Sequence, residues 1–174
     1  MNILKISELL TTPPAHFETP LQEKVYAFLA AHAIPFERVE NDPAKTMEAC
    51  KLVAEKLGCT IAKTLFLTNR QQTKFYLYLM PDDKPFVTKE FSKSLGISRV
   101  SFASAELLKE KMGVEPGAAT VFCLLLESAK EVTLVIDKEI ADSEYLGYTD
   151  GTYTCYMKIK KKNLNFFTGK GIVL

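Results

Sequence analysis

Residues 60 to 80 constrain the fold of this chain more than any other stretch. Two apolar, β-prone runs, Thr60-Ile-Ala-Lys-Thr-Leu-Phe-Leu-Thr68 and Thr73-Lys-Phe-Tyr-Leu-Tyr-Leu-Met80, flank the polar segment Asn69-Arg70-Gln71-Gln72. That is the pattern of a hairpin. Successive side chains of a strand point to opposite faces, so Ile61, Lys63, Leu65 and Leu67 share one face, and Ala62, Thr64, Phe66 and Thr68 the other. Lys63 is a charge in register with three large aliphatics, and it has two readings. Its stem can pack along apolar surface while the ammonium reaches water near the strand end, which strand periodicity alone favours. Alternatively the ammonium faces a cleft and grips an anionic ligand such as phosphate.

At 174 residues the chain suits one domain with a sizeable core. Residues 1–18 read as an N-terminal extension, with a short helix followed by the linker Thr11 to Glu18, and residues 19–174 as the domain. A net charge of +1 leaves any grip on RNA to a local patch. No apolar stretch approaches a membrane span, and residues 1–10 are too polar for a signal peptide; the expectation is a cytoplasmic protein. Cys50, Cys59, Cys123 and Cys155 form no C-x-x-C pair and read as reduced, mostly buried hydrophobes. His16 and His32 lack metal-ligand spacing, so neither a metal site nor a Ser-His-Asp triad is supported, and no cofactor is expected. Gly169-Lys170-Gly171 has no helix after it and is no dinucleotide loop.

The remaining punctuation is local. Thr19-Pro20 opens a helix with Leu21, Val25, Phe28 and Leu29 on one face, and Ile34 to Glu40 is a short strand. Helices are expected from Thr46 to Leu57, from a Thr88 cap to Gly96, and from Ser104 to Met112, with Gly58, Gly96 and Gly113 as stops. Strands are expected at Val100–Ala103, Phe122–Leu126, Val132–Ile136 and Tyr153–Ile159, the last after a turn-rich loop at residues 147–152. A helix around Lys162–Phe167 and a terminal Ile172-Val-Leu174 finish the chain. The strands outnumber a simple alternating βα pattern. The fold class is therefore mixed α/β, a curved mixed sheet or barrel with helices packed around it.

Two further segments could carry chemistry. Pro116-Gly117-Ala118-Ala119-Thr120 can leave amide N–H groups uncovered for a carbonyl or oxyanion, or it is an ordinary turn. Lys158, Lys160, Lys161 and Lys162 can contact a phosphate backbone without reading sequence, or they guard a solvated strand edge.

Taken together, Ile34-Pro-Phe-Glu-Arg-Val39, Ala62-Lys63-Thr64-Leu65-Phe66-Leu67, Tyr76-Leu-Tyr-Leu-Met-Pro81-Asp82, Val100 to Leu108 and Gly113 to Phe122 resemble the YbaK/ProX family of aminoacyl-tRNA deacylases. These are free-standing relatives of the editing domain of bacterial prolyl-tRNA synthetase, and the last two segments look most like the ProX arm. The resemblance implies a highly curved mixed β-sheet wrapped by helices. It also implies trans-editing: hydrolysis of the ester on a mischarged tRNA, here tRNA for proline carrying a small amino acid such as alanine. It places catalysis on Lys63, Gly117, Ala118 and Thr120, with no metal and no protein nucleophile. Loop amides would orient the substrate carbonyl, and the terminal ribose hydroxyl would help activate water. Phe36, Val39, Thr64, Phe102 and Thr152 are the implied substrate wall, and the four lysines the tRNA contact. The acceptor end of the aminoacyl-tRNA is the implied partner, with a synthetase as a candidate second one.

The chain departs from the family pattern at three places. Thr120 is followed by Val121 where Pro is common. The lysine is followed by Thr64, as in the YbaK arm, where ProX relatives have Asn. Gly147-Tyr148 and Gly151 stand where ProX relatives carry His-Pro and Asn. Val121, Gly147 and Gly151 keep open a second reading, a non-catalytic tRNA-binding module of the same fold.

Overall fold

The hairpin forms the spine of the molecule. In the computed structural model, which describes residues 3–168 and 171–174, β2 (Ala62–Asn69) and β3 (Phe75–Pro81) pair antiparallel, with Phe66 opposite Leu77 and Lys63 opposite Met80. The loop closes because Asn69 Oδ1 accepts the amides of Thr73 and Lys74 at 2.9 and 3.0 Å, while Gln72 takes a positive φ of 56°. Every residue of β3 is buried, because its two faces serve two cores. Phe75, Leu77 and Leu79 join Ala62 and Phe66 in the main cluster, and Tyr76, Tyr78 and Met80 join Leu67 in a second. At about 1.5–3 kcal/mol for each large apolar side chain buried, this strand fixes the register of the sheet.

Five strands form that sheet, in the order β4 (Val100–Phe102), β2, β3, β5 (Thr133–Ile136), β8 (Ile172–Val173), with β5 parallel to β3 and to β8. A second, antiparallel sheet has β7 (Cys155–Lys160) between β1 (Glu37–Glu40) and β6 (Tyr145–Thr149). Of the two forms expected, curved mixed sheet or barrel, the mixed α/β architecture is present and the sheets do not close into a barrel. The sheets meet at the bridge of Ile61 with Gly147, where the Gly147 amide donates to Thr60 O at 2.8 Å. A Cβ on Gly147 would lie 3.0 Å from Ile61 Cγ1, so any larger residue here would press on that side chain.

Helices α1 (Pro20–Ala31), α2 (Met47–Leu57) and α4 (Ala105–Met112) start where the capping residues place them. Thr19, Thr46 and Ser104 accept the amides of Gln22, Ala49 and Leu107 at 3.0, 3.1 and 3.1 Å. Helix α3 (Thr88–Leu95) differs from expectation. Val87 is its last extended residue (φ −121°), so Thr88 is already helical and does not cap. Asp137 caps a short α5 (Lys138–Ala141) that the sequence reading lacked.

Other departures have physical causes. Val121–Leu125, overlapping the run Phe122–Leu126 expected as a strand, is a 3-10 helix, followed by a second at Glu127–Ala129. A short apolar run carries no periodicity to separate the two. The expected N-terminal helix is extended chain, bridged at Ile6 to Asn41 and at Leu10 to Arg38. Leu4 and Ile6, two residues apart, pack on the cluster around Val39 and Val53, which is strand spacing. Gly147–Thr149 lies inside β6, so the loop is 150–154. The last helix splits into a 3-10 turn, Lys161–Leu164, and α6 (Asn165–Thr168). Met1, Asn2, Gly169 and Lys170, which figure in the signal-peptide and glycine-loop readings, lie outside the described residues.

Candidate functional site

A cleft of about 550 Å³ opens between the first half of β2, the β4–α4 corner, the 116–119 loop and the start of α2. Lys63 and Gly117 both line it. Lys63 is half-buried near the start of β2, and its ammonium makes no ion pair or hydrogen bond among the described residues. An unpartnered ammonium facing an apolar-walled hollow is poised for an anion, since thin solvation strengthens the pairing. Thr64 lines the same wall, and Asp82, just past β3, supplies a carboxylate.

The loop contributes backbone. Gly117 sits at φ 90°, a conformation that glycine adopts without strain. The Ala118 amide is spent inside the turn on Glu115 O at 3.0 Å. The Gly117 and Ala119 amides have no acceptor among the described residues, and both residues line the cleft. Bare amides of this kind are donors for a carbonyl oxygen or the oxyanion it becomes.

The other expected residues divide. Phe102 lines the cleft, 59% exposed and braced edge-to-face by Phe86 at 5.6 Å. Ala118 and Thr120 are buried on the inner side of the loop, and Thr120 Oγ1 has no hydrogen-bond partner among the described residues. Phe36, Val39 and Thr152 are absent from the lining. Phe36 packs edge-on against Tyr26 at 5.6 Å, Val39 is fully buried in the cluster with Val53 and Leu57, and the Thr152 hydroxyl donates to Asp150 Oδ1 at 2.7 Å. Lys158 and Lys160 leave β7 on the face that carries Tyr156 into the cleft, since all three alternate in register. Their ammoniums lie 5.0 and 5.7 Å from the centre of the exposed Tyr145 ring. Lys161 donates to Ala141 O at 2.7 Å, and Lys162 is exposed.

The sequence reading missed the wall made by Lys45, Thr46, Met47 and Cys50, and also Tyr153. Thr46 was legible as a helix cap but not as a cleft residue. With it the N-terminus of α2, where unpaired amides carry partial positive charge, comes to the rim beside Lys45. Burial, and then the neighbouring Cys50 thiol, push the Tyr156 hydroxyl well above its ordinary range, so it stays protonated. No group of three or more His, Cys, Asp or Glu that could hold a metal occurs among the described residues. All four cysteines are free. No described helix is long and apolar enough to cross a membrane.

Known proteins resemble this chain in sequence and in fold. The sequence is 28% identical over 120 residues to prolyl-tRNA synthetase associated domain-containing protein 1 of Danio rerio, covering 69% of this chain and 65% of that one, so the match spans just under two thirds of the relative. It is 28% identical over 119 residues to the prolyl-tRNA editing protein ProX of Acetoanaerobium sticklandii, covering 68% of this chain and 73% of that one. The fold matches the crystal structure of a candidate trans-editing enzyme for prolyl tRNA synthetase with a TM-score of 0.70 at 16% identity, over 91% of this chain and 97% of the other. The aminoacyl-tRNA editing domain model matches residues 41–167, most of the sequence and every cleft residue named above, and this chain belongs to that family.

Proposed function

We propose that this chain is a trans-editing deacylase that hydrolyses the ester between a wrongly attached amino acid and tRNA, its substrate being tRNA for proline carrying a small residue such as alanine. The observation that carries the reading is that an unpartnered ammonium and two unpartnered amides, from segments more than fifty residues apart in sequence, open onto one hollow. In the proposed complex Lys63 holds the terminal phosphate, and the Gly117 and Ala119 amides receive the ester carbonyl. Water adds to that carbonyl carbon and the negative charge developing on its oxygen falls on the two amides. The carbon–oxygen bond to the ribose then breaks, the ribose hydroxyl recovers a proton, and free amino acid and tRNA leave. The neighbouring ribose hydroxyl assists the attacking water, as the family resemblance implies. Lys158 and Lys160 continue the positive surface away from the cleft as contacts for the acceptor stem.

Such an activity answers a physical limit. A synthetase pocket separates substrates by only about 1–3 kcal/mol per methylene, so small amino acids are attached in error and need a second site for removal. A panel of mischarged tRNAs incubated with the full chain tests the assignment. Release of alanine from tRNA for proline faster than in buffer supports it. Salt-sensitive tRNA binding without release of any amino acid would instead make this a non-catalytic binding module. The packing of Gly147 against Ile61 and of Gly151 against Leu21, where a Cβ would come within 3.0 and 2.9 Å of side-chain carbons, gives both departures from the ProX pattern a structural reason.

A further inference from the structure

Tyr153 touches both walls of the cleft. On one side its hydroxyl donates to Pro116 O, the only side-chain hydrogen bond reaching residues 114–120 among the described residues. The same ring lies against Gly117, where a Cβ would sit 3.3 Å from Tyr153 Cε1. On the other side the Tyr153 carbonyl accepts the Ala44 amide at 3.0 Å and Asn41 Nδ2 at 3.0 Å, fixing the segment that leads into α2. Lys45 Nζ stands 4.9 Å over the ring centre. The 150–154 loop that carries Tyr153 is itself anchored, because Thr152 is hydrogen-bonded to the buried Asp150.

Resting on the deacylase reading, we propose that Tyr153 is a positioning residue: its hydroxyl holds the Pro116 carbonyl so that the Gly117 and Ala119 amides face the scissile carbonyl, and its ring and backbone set the distance from that loop to the rim carrying Lys45. Val114 and Ala118 pack the base of the loop into the main core, but its rim at Pro116 and Gly117 has few polar ties. Its internal bond from the Ala118 amide closes a turn but does not aim it, and the Lys109–Glu115 ion pair at 3.4 Å is exposed on both sides. Burial, and then the Glu115 charge, raise the Tyr153 hydroxyl above its ordinary range, so it remains a donor through neutral and mildly alkaline pH. A wall displaced by about 1 Å costs on the order of a hundredfold in rate, which is why one hydroxyl at this place matters.

The test compares the full chain with Tyr153→Phe, which removes the hydroxyl and keeps the ring. Hydrogen–deuterium exchange at the Ala118 amide, the one in this loop held by a hydrogen bond among the described residues, is expected to quicken about tenfold in the variant, with exchange in β2 and β3 unchanged. With alanyl-tRNA for proline, kcat is expected to fall roughly ten- to a hundredfold while KM stays within about twofold. Unchanged loop exchange overturns the proposal whatever the kinetics. Faster loop exchange with an unchanged kcat in an active enzyme also overturns it, since the loop would then not need aiming. Should the parent chain release no amino acid from any tRNA, the deacylase reading fails and the positioning role fails with it, while the exchange arm still reports whether Tyr153 orders the loop.

Discussion

Two polar clusters in this molecule are built in opposite ways. Around Asp150, which is fully buried, every acceptor is used. Oδ2 takes hydrogen bonds from Gln22 Nε2 at 2.9 Å and Tyr26 Oη at 2.8 Å, and Oδ1 takes one from Thr152 at 2.7 Å. Tyr26 lies 3.2 Å from Cys155 Sγ, which Arg38 Nη1 also approaches at 3.7 Å. In the cleft the groups are left open: the Lys63 ammonium and the Gly117 and Ala119 amides lack partners among the described residues. A buried polar group without a partner costs about 1–3 kcal/mol. The Asp150 cluster is sealed from water and pairs its groups, whereas Lys63 is half-buried and Gly117 exposed, so their donors stay open to a ligand. The closed cluster ties α1 to the 150–154 loop, and that loop carries Tyr153 to the open one.

The sharpest break of this contrast is Asp150→Ala. It strips the acceptor from three donors, and about 4 kcal/mol of stability should go with it, read from denaturant unfolding. A loss below about 1 kcal/mol would mean the cluster is no anchor. Lys63→Ala should do the reverse. Turnover should fall by about a hundredfold, with stability within about 0.5 kcal/mol of the parent, because no partner is lost. A large drop in stability would move Lys63 into the anchoring class. Gly117→Ala lies between, as the methyl meets Tyr153 at a φ of 90°. It should cost about 1–2 kcal/mol of stability and about tenfold in kcat.

The smallest effect concerns a third, half-open cluster. Burial raises the Asp137 carboxyl, but the hydrogen bonds from Lys84, the Glu139 amide and Tyr78, with the Lys84 charge, outweigh it and hold the group below its ordinary value. A depressed carboxylate contributes stability that is present in full above its unfolded pKa, about 3.9, and is lost as pH falls through the folded value. Unfolding midpoints measured from neutral pH downward should therefore decline below about pH 4 more steeply for the parent than for Asp137→Asn. Parallel curves would place this cluster with exposed pairs that contribute nothing measurable.

What could be read in the sequence was local. The hairpin, the caps at Thr19, Thr46 and Ser104, and the stops at Gly58, Gly96 and Gly113 all depend on neighbours within a few residues. Lys63 drew notice because a charge broke an apolar register, and Gly117 because its neighbours are small. Tyr153 and Lys45 gave no such signal, since one meets Pro116 thirty-seven residues away and the other meets Tyr153 only in the folded chain. Thr120 looked like part of an open loop. The 3-10 helix that follows it, where a strand was expected, turns it inward. Val39 lies on the face of β1 that packs beneath α2, and Phe36, just before that strand, packs on the Tyr26 ring; both placements depend on distant partners.

The most direct measurement is single-turnover release of labelled alanine from alanyl-tRNA for proline, by the parent chain and by Lys63→Ala at matched thermal stability. Release well above the rate in buffer for the parent, and near that rate for the variant, is the expected result. Equal rates for the two proteins, or no release by either, would contradict the claim that the open cluster is a catalytic site.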